Sequence, residues 1–524
     1  MPSILASPRH AFIAAIGAFA ALHAVSSLSM PLGWDHGMLA SVGVELARGE
    51  MPYRDSWELK SPLAFLPYAV AYLLFGNVMW GVRLIDLAIL VPMLSCFMRV
   101  VRSETDPVIG IGAALGLYLL FASQTWFFTG QPDPWAAMLV ALATCSTLAK
   151  SGQARPEPSM YFLSGLLIGA AGLIKPVYLV FGLAPFISAT FAPFGEAESK
   201  ARVRDIVLLG AGTGCAILAC VLYLALGGAL GHAIEAQIHY NIGTYAKADG
   251  ASLKESVRQI GLFFSKSTIT LLVLISALAL WTRRDDKLQV AQLIAWLFAA
   301  LIFVIVQGKY YDSHWAGMFP PLMFCAAIGF HTLVNAIATA ATGRVLGTMA
   351  CALFFLNVSA EPAQEALRWG RHLLGSSRVD YYFNFEKWIY SSASQWLAAE
   401  HIRKNSGPND GLFVWGNDAT IHFLADRPNP TRFNFNLPLV LDGPYRAAYQ
   451  AETMGKLLQA PPKFIVVGLS WEGVDKEASL ARFPMFRDFL MRHYAFDVEY
   501  GSVHIYRLKG APSVDTTAPA ARSN

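Results

Sequence analysis

Asp35, Asp55 and Lys60 fall in one polar and aromatic interval, residues 31–62, wedged between long apolar runs. A carboxylate just beyond an apolar run can act as general base toward a hydroxyl, which makes Asp35 the candidate catalytic residue. Its other reading is the N-cap of an amphipathic helix over 38–48. His36 stands beside it. Tyr53, Arg54 and Asp55 follow Gly49 and Pro52 in a turn, where an Arg–Asp ion pair competes with a substrate-binding role. Lys60 immediately precedes the next apolar stretch, where an ammonium group either meets a lipid phosphate or snorkels to the headgroups.

Similar polar outliers recur at other apolar ends. Lys175, in Gly-Leu-Ile-Lys-Pro, is costly there without a partner and is a candidate phosphate contact. Asp133, in Gln-Pro-Asp-Pro, resembles a helix cap with proline at the first helical position; capping is the favoured reading and catalysis the other. The stretch 307–315 gathers Lys309, Tyr311, Asp312 and His314. Aromatic residues at this depth form an interfacial belt, but Asp312 and His314 exceed what a belt needs. A divalent metal held by His36, His314 and a carboxylate remains open, on weak spacing.

Membrane helices must position these residues. Of 524 residues 55% are hydrophobic and only 15% charged, against about 25% charged in soluble proteins. This composition predicts a mostly α polytopic membrane protein with about eleven spans, near 10–30, 79–101, 107–127, 134–149, 159–174, 177–194, 205–227, 266–282, 288–306, 316–338 and 345–359. The apolar stretch 62–76 is short and is expected as a half-helix. The net charge of +4 gives no case for nucleic acid. All six cysteines lie in apolar segments and are expected as packing residues.

Arg9, Arg99, Arg102, Lys150, Arg155, Lys200, Arg202, Arg204, Arg283, Arg284, Lys287 and Arg344 fall at alternate connections. The positive-inside rule assigns these and the N-terminus to the cytoplasm. The polar outliers, a long loop over 228–265 and everything after 360 then face outward. Residues 1–359 form the membrane module. Residues 360–509 read as an extracytoplasmic α/β domain, with strands at 411–416 and 463–469, a hairpin over 494–508, and helices over 388–403, 444–458 and 476–492. The tail 510–524 is expected to be disordered.

The order of these features resembles the GT-C class of membrane glycosyltransferases, its family-39-like and aminoarabinose-transferase-like branches above all. The resemblance is carried by Asp35 after the first span, by G-x-x-P-Y-R-D-x-x-x-x-K-x-P from Gly49 to Pro62, and by Phe75, Gly76, Arg83 and Leu84. L-I-K-P at 173–176 and G-K-Y-Y-D-S-H-W at 308–315 also look like family features. It implies inverting transfer of a sugar from a polyprenyl-phosphate donor to a glycan, lipid or protein acceptor outside the cytoplasmic (inner) membrane. Asp35 would be the base and Lys60 a contact to the donor phosphate. In the pattern of relatives a second acid stands where this chain has His36, and Glu directly precedes Lys-Pro, where this chain reads Glu58-Leu59-Lys60-Ser61-Pro62. There is no P-loop and no dinucleotide fingerprint. The rival readings are a transporter or flippase of a polyprenyl-linked sugar, and a scaffold that binds envelope glycan.

Overall fold

The computed structural model describes residues 8–149, 155–191, 198–248, 250–337, 341–387, 390–469 and 476–511. Lys150 and most of the tail 510–524 lie outside them.

Every apolar run expected to span is helical. The membrane part runs α1 (Pro8–Ser27), α2 (Trp34–Ala47), a 3-10 turn (Pro62–Ala64), α3 (Leu66–Phe75), α4 (Met79–Glu104), α5 (Pro107–Ala122), α6 (Pro132–Ser146) and α7 (Pro158–Gly172). There follow a 3-10 segment (Pro176–Gly182), α8 (Leu183–Phe191), α9 (Glu198–Leu226), α10 (Leu230–Ile234), a π-helical segment (Glu235–Tyr245), α11 (Ala246–Ala248) and α12 (Leu253–Ser265). α13 (Ser267–Thr282), α14 (Lys287–Gln307), a 3-10 segment (Asp312–Met318), α15 (Phe319–Ile337) and α16 (Ala341–Leu373) complete it.

Prolines start α5, α6 and α7, where a missing N–H costs nothing. At α5, Asp106 accepts the N–H groups of Val108 at 2.8 Å and Ile109 at 3.0 Å. α7 and α9 meet at glycines, since a β-carbon on Gly165 or Gly212 would run into the facing backbone.

Five described helical segments are long and apolar enough to cross a membrane: α1, α4, Ser199–Leu226 of α9, α14, and Asp312–Asn335. α12 and α13, bent by 81°, make a sixth if they are one span. The expected span at 345–359 lies within the 33-residue α16, and those at 107–127, 134–149, 159–174 and 177–194 are helical but shorter. A helix of 15 residues, such as α7, reaches only about 22 Å against about 30 Å of hydrocarbon, so these helices rely on neighbours within the bundle. The chain is a multi-pass membrane protein.

Two expectations about connections are corrected. The 228–265 loop is mostly helical, because its amphipathic stretches pack against the bundle and the C-terminal domain. The break expected at 360 falls inside α16, which continues to Leu373 through Pro362.

The C-terminal part consists of α17 (Arg378–Phe383), a short β1–β2 pair (Glu386–Lys387, Tyr390–Ser391), α18 (Ser392–Lys404), β3 (Leu412–Trp415), α19 (Thr420–Ala425), α20 (Leu437–Val440), α21 (Arg446–Gln459), β4 (Phe464–Val467), α22 (Lys476–Ala481), α23 (Pro484–His493), β5 (Tyr494–Tyr500) and β6 (Val503–Leu508). Its sheet has the order β3-β4-β6-β5, with β3 and β4 parallel and the rest antiparallel. The single helix expected over 476–492 is two helices, divided by Pro484 at the start of the second.

Candidate active site

Asp35 is the second residue of α2, and it does not cap the helix. The N-cap is Gly33, with extended backbone, and His36 reaches back to accept the Gly33 N–H on Nδ1 at 3.1 Å. Asp35 is thereby left 32% exposed, and its Oδ1 lies 3.5 Å from Lys60 Nζ. Asp133 repeats the arrangement. It is the second residue of α6, whose N-cap is Gln131, so the favoured capping reading is overturned there as well. Its Oδ1 lies 3.2 Å from Lys175 Nζ, and Tyr178 donates its hydroxyl to the Asp133 carbonyl at 3.0 Å.

The two pairs belong to one cluster. Burial works against charge on Lys60, but Asp35, Glu58 and Asp133 outweigh it and hold the ammonium above its ordinary range. His314 is buried, sits 5.1 Å from the Tyr311 ring centroid, and feels the charges of Lys175, Lys309 and Lys60. Lys309 places its ammonium 3.7 Å from the centre of the Tyr245 ring. Asp312 turns the other way and pairs with Lys387 of β1 at 3.6 Å, a tie to the C-terminal domain.

For His36 and Tyr53 the geometry corrects the expectation of substrate contact. His36 is fully buried, with Nδ1 on Gly33 and Nε2 donating to the Thr129 carbonyl at 2.7 Å. Burial, then the charges of Arg83 and Lys60, push its pKa well below the usual histidine range, so the ring is neutral. Tyr53 is also buried, with backbone in the left-handed region at φ 70°. Its hydroxyl donates to the Lys60 carbonyl at 2.7 Å and accepts from Gln237. Both residues position the site. Asp55 closes the turn: it accepts the Met51 N–H at 2.8 Å, and the adjacent Arg54 guanidinium holds its carboxyl below the usual range.

Several contributors were not singled out as site residues from sequence. Glu58 is buried, takes the N–H groups of Leu59 at 2.8 Å and Lys60 at 3.3 Å on Oε1, and leaves Oε2 without a partner. Arg83, also buried, donates to the carbonyls of Pro31 at 2.5 Å, Trp126 at 3.0 Å and Thr129, and so ties α4 to the loop that seats His36. Arg432 donates to the Tyr53 carbonyl at 3.1 Å, and Trp57 donates its backbone N–H to the Arg432 carbonyl at 2.6 Å. Glu58 and Arg83 show in the sequence only as charges close to an apolar run, and the partners of Arg83 and Arg432 lie far along the chain. Among the described residues no group of three or more His, Cys, Asp or Glu side chains could hold a metal ion, so the set of His36, His314 and a carboxylate is not assembled.

Residues 59–224 match the family described as Dolichyl-phosphate-mannose-protein mannosyltransferase. Among solved structures, ArnT from Cupriavidus metallidurans bound to undecaprenyl phosphate is similar with a TM-score of 0.60 at 15% identity, over 95% of this chain and 98% of that one. The same protein in its apo state gives 0.60 at 13% identity, again over 95% and 98%. No curated protein matches the chain in sequence. At these identities the likeness is one of fold, and it runs through both the bundle and the C-terminal domain. The chain has the fold of the GT-C membrane glycosyltransferases.

Proposed function

We propose that the protein transfers a sugar, with inversion, from a polyprenyl-phosphate donor to an acceptor hydroxyl outside the cytoplasmic membrane. The observation that carries this reading is the meeting of Asp35–Lys60 with Asp133–Lys175 in one partly exposed charge cluster at the ends of apolar helices. A lipid-linked donor holds its anomeric carbon and phosphate at that depth.

The Asp35–Lys60 separation of 3.5 Å is loose beside the roughly 2.7–2.9 Å of a tight charged hydrogen bond. An incoming phosphate therefore takes over the Lys60 ammonium, with Lys175 on its other side, and frees Asp35. Asp35 accepts the acceptor hydroxyl proton as that oxygen attacks the anomeric carbon. The carbon–oxygen bond to phosphate breaks, and the polyprenyl phosphate leaves with the electron pair. The two ammonium groups stabilise the charge that grows on it. Asp133 is the less open carboxylate, 12% exposed and held by Lys175 and Tyr178, which leaves the base role to Asp35.

The test is transfer from labelled polyprenyl-phosphate sugars by the protein in nanodiscs. Asp35→Asn is expected to lower kcat by about 10²–10⁴-fold, the usual contribution of a general base, with donor binding retained. Transfer at the wild-type rate would end the mechanism.

A further inference from the structure

Glu365 is a buried acid that takes no part in the charge cluster around Asp35. It lies in α16, 0% exposed, and His23 of α1 stands beside it at 2%. His23 Nε2 is 2.9 Å from Glu365 Oε2, and its Nδ1 is 2.8 Å from the Tyr118 hydroxyl of α5. A tie among three helices would need no more than this, and apolar side chains would make it without burying a carboxyl group. The second carboxyl oxygen reaches elsewhere. Oε1 accepts the backbone N–H of Trp126 at 2.6 Å, across 239 residues of sequence.

Trp126 lies in the connection between α5 and α6. Thr125, just before it, has its backbone at φ 73°. A β-branched residue rarely adopts that left-handed conformation, and it persists only where the surroundings enforce it. The bond to Glu365 falls on the very next N–H, and the Trp126 carbonyl accepts from Arg83 at 3.0 Å. The residue is thus gripped at both of its backbone groups. From there the contacts lead to α2. The Phe127 ring lies against Gly33, where a β-carbon would come within 2.8 Å of it. The Thr129 carbonyl accepts from His36 Nε2 at 2.7 Å, and His36 Nδ1 accepts the Gly33 N–H. Gly33 and His36 bracket Asp35 in the first turn of α2.

We infer that Glu365 is a positioning residue for Asp35. Clamped by His23, it fixes the 125–129 turn, and that turn seats the start of α2 through Phe127 and Thr129. Without the carboxyl group the Trp126 N–H is buried and unpaired, and Thr125 is free to relax toward an ordinary conformation. The turn then shifts, and Asp35 shifts with it. Lys60 is seated separately, by Tyr53 and Glu58, so the donor contact is spared. The effect on catalysis rests on the transferase reading; the link from Glu365 to α2 does not.

The experiment uses the full chain in nanodiscs. Glu365→Leu is expected to lower kcat by about 10- to 100-fold, the scale set by a small misplacement of a reacting group, with KM for the polyprenyl-phosphate sugar unchanged. Amide hydrogen exchange over residues 33–37, followed by mass spectrometry without substrate, is expected to quicken. Glu365→Gln restores both, since its amide oxygen accepts from Trp126 while its NH₂ group meets His23 in the other tautomer. Glu365→Asp keeps the acid but loses the reach, so it behaves as the leucine variant and replaces it if that one does not fold. Gln292→Leu controls for lost stability. Gln292 is equally buried at the far end of α6, where it accepts the Ala149 N–H at 2.8 Å and donates to the Thr147 carbonyl at 2.9 Å. It is expected to lower the unfolding temperature and to leave kcat and exchange at 33–37 unchanged. Unchanged exchange at 33–37 in Glu365→Leu, a loss there confined to KM, or an equal loss of kcat in Gln292→Leu overturns the proposal. Faster exchange in Glu365→Leu beside full transfer by Asp35→Asn would end the base assignment and leave the link standing.

Discussion

Gly37 lies against Thr420 with no room for a β-carbon. The first turn of α2 is thereby pressed onto α19 of the C-terminal domain, while Asp35, two residues earlier, faces Lys60. Ser41 extends the contact with a hydroxyl bond to the Ala419 carbonyl at 3.1 Å, and Tyr390 donates to the Leu32 carbonyl at 2.7 Å. Part of what a β-carbon at Gly37 would strike is the Thr420 backbone, which cannot swing aside as a side chain does. Gly37→Ala is expected to destabilise the protein by about 1–3 kcal/mol, the usual cost of overpacking, and to lower kcat by displacing Asp35. Thermal unfolding in detergent and transfer kinetics check this, with Ser41→Ala as the milder companion. Unchanged kinetics would mean that docking of the C-terminal domain does not set Asp35.

The two lysines make separable predictions. A hydrogen bond to a charged group contributes about 1.5–3 kcal/mol, so Lys60→Met is expected to weaken polyprenyl-phosphate binding by about 10- to 100-fold. Lys60→Arg restores little, because a planar fork does not replace a compact ammonium between Asp35 and Glu58. Lys175→Met also strips Asp133 of its counter-charge, and lowers stability as well as donor affinity. Direct binding of the lipid phosphate, measured beside unfolding, distinguishes the two. Donor affinity untouched by Lys60→Met would remove the lysine from the phosphate site.

Much of this was readable from the chain. Asp35, Lys60 and Lys175 stand out because a charge at the end of an apolar run needs a reason, and the helices follow from the apolar runs themselves. The pairing of Asp133 with Lys175 was not readable, because 42 residues separate them and each alone looks like a cap or a snorkelling lysine. His36 looked like a ligand; only the position of the Thr129 carbonyl, fixed by Arg83, shows that both ring nitrogens are spent. Glu58 was hidden for the opposite reason. A carboxylate in a turn is expected to be solvated, and its burial depends on packing that no local pattern carries.

Arg432 is the clamp between the C-terminal domain and the turn that presents Lys60. It is 9% exposed, grips Glu452 at 2.9 and 3.0 Å, lies 3.5 Å from Glu235, and donates to the Tyr53 carbonyl. Arg432→Met leaves that carbonyl and two carboxylates without their cation, at about 1–3 kcal/mol. The expected kinetic signature is a raised KM for the donor with a smaller change in kcat, since Tyr53 holds the Lys60 backbone and not Asp35. Arg432→Lys keeps the charge and loses the fork, so it should fall between. A loss confined to kcat would show that the clamp acts elsewhere.

Asp418 gives the pH prediction. It follows β3, is buried, and accepts from Gln395 on Oδ1 while Oδ2 has no partner. Burial raises its carboxyl from the ordinary 3.8 to about 6, against the opposing pull of Gln395. Between those values the folded protein holds a proton that the unfolded chain has released, so the unfolded state binds fewer protons and stability falls as pH rises. The stabilising contribution is complete below about 4, declines through about 6, and above that is a constant deficit on the order of 3 kcal/mol. Asp418→Asn keeps the shape and removes the titration. The unfolding midpoint of the wild type is therefore expected to drop between pH 4.5 and pH 7.5 by more than that of Asp418→Asn, which becomes the more stable protein at the higher pH. Parallel pH profiles for the two would show that Asp418 is not protonated in the folded chain.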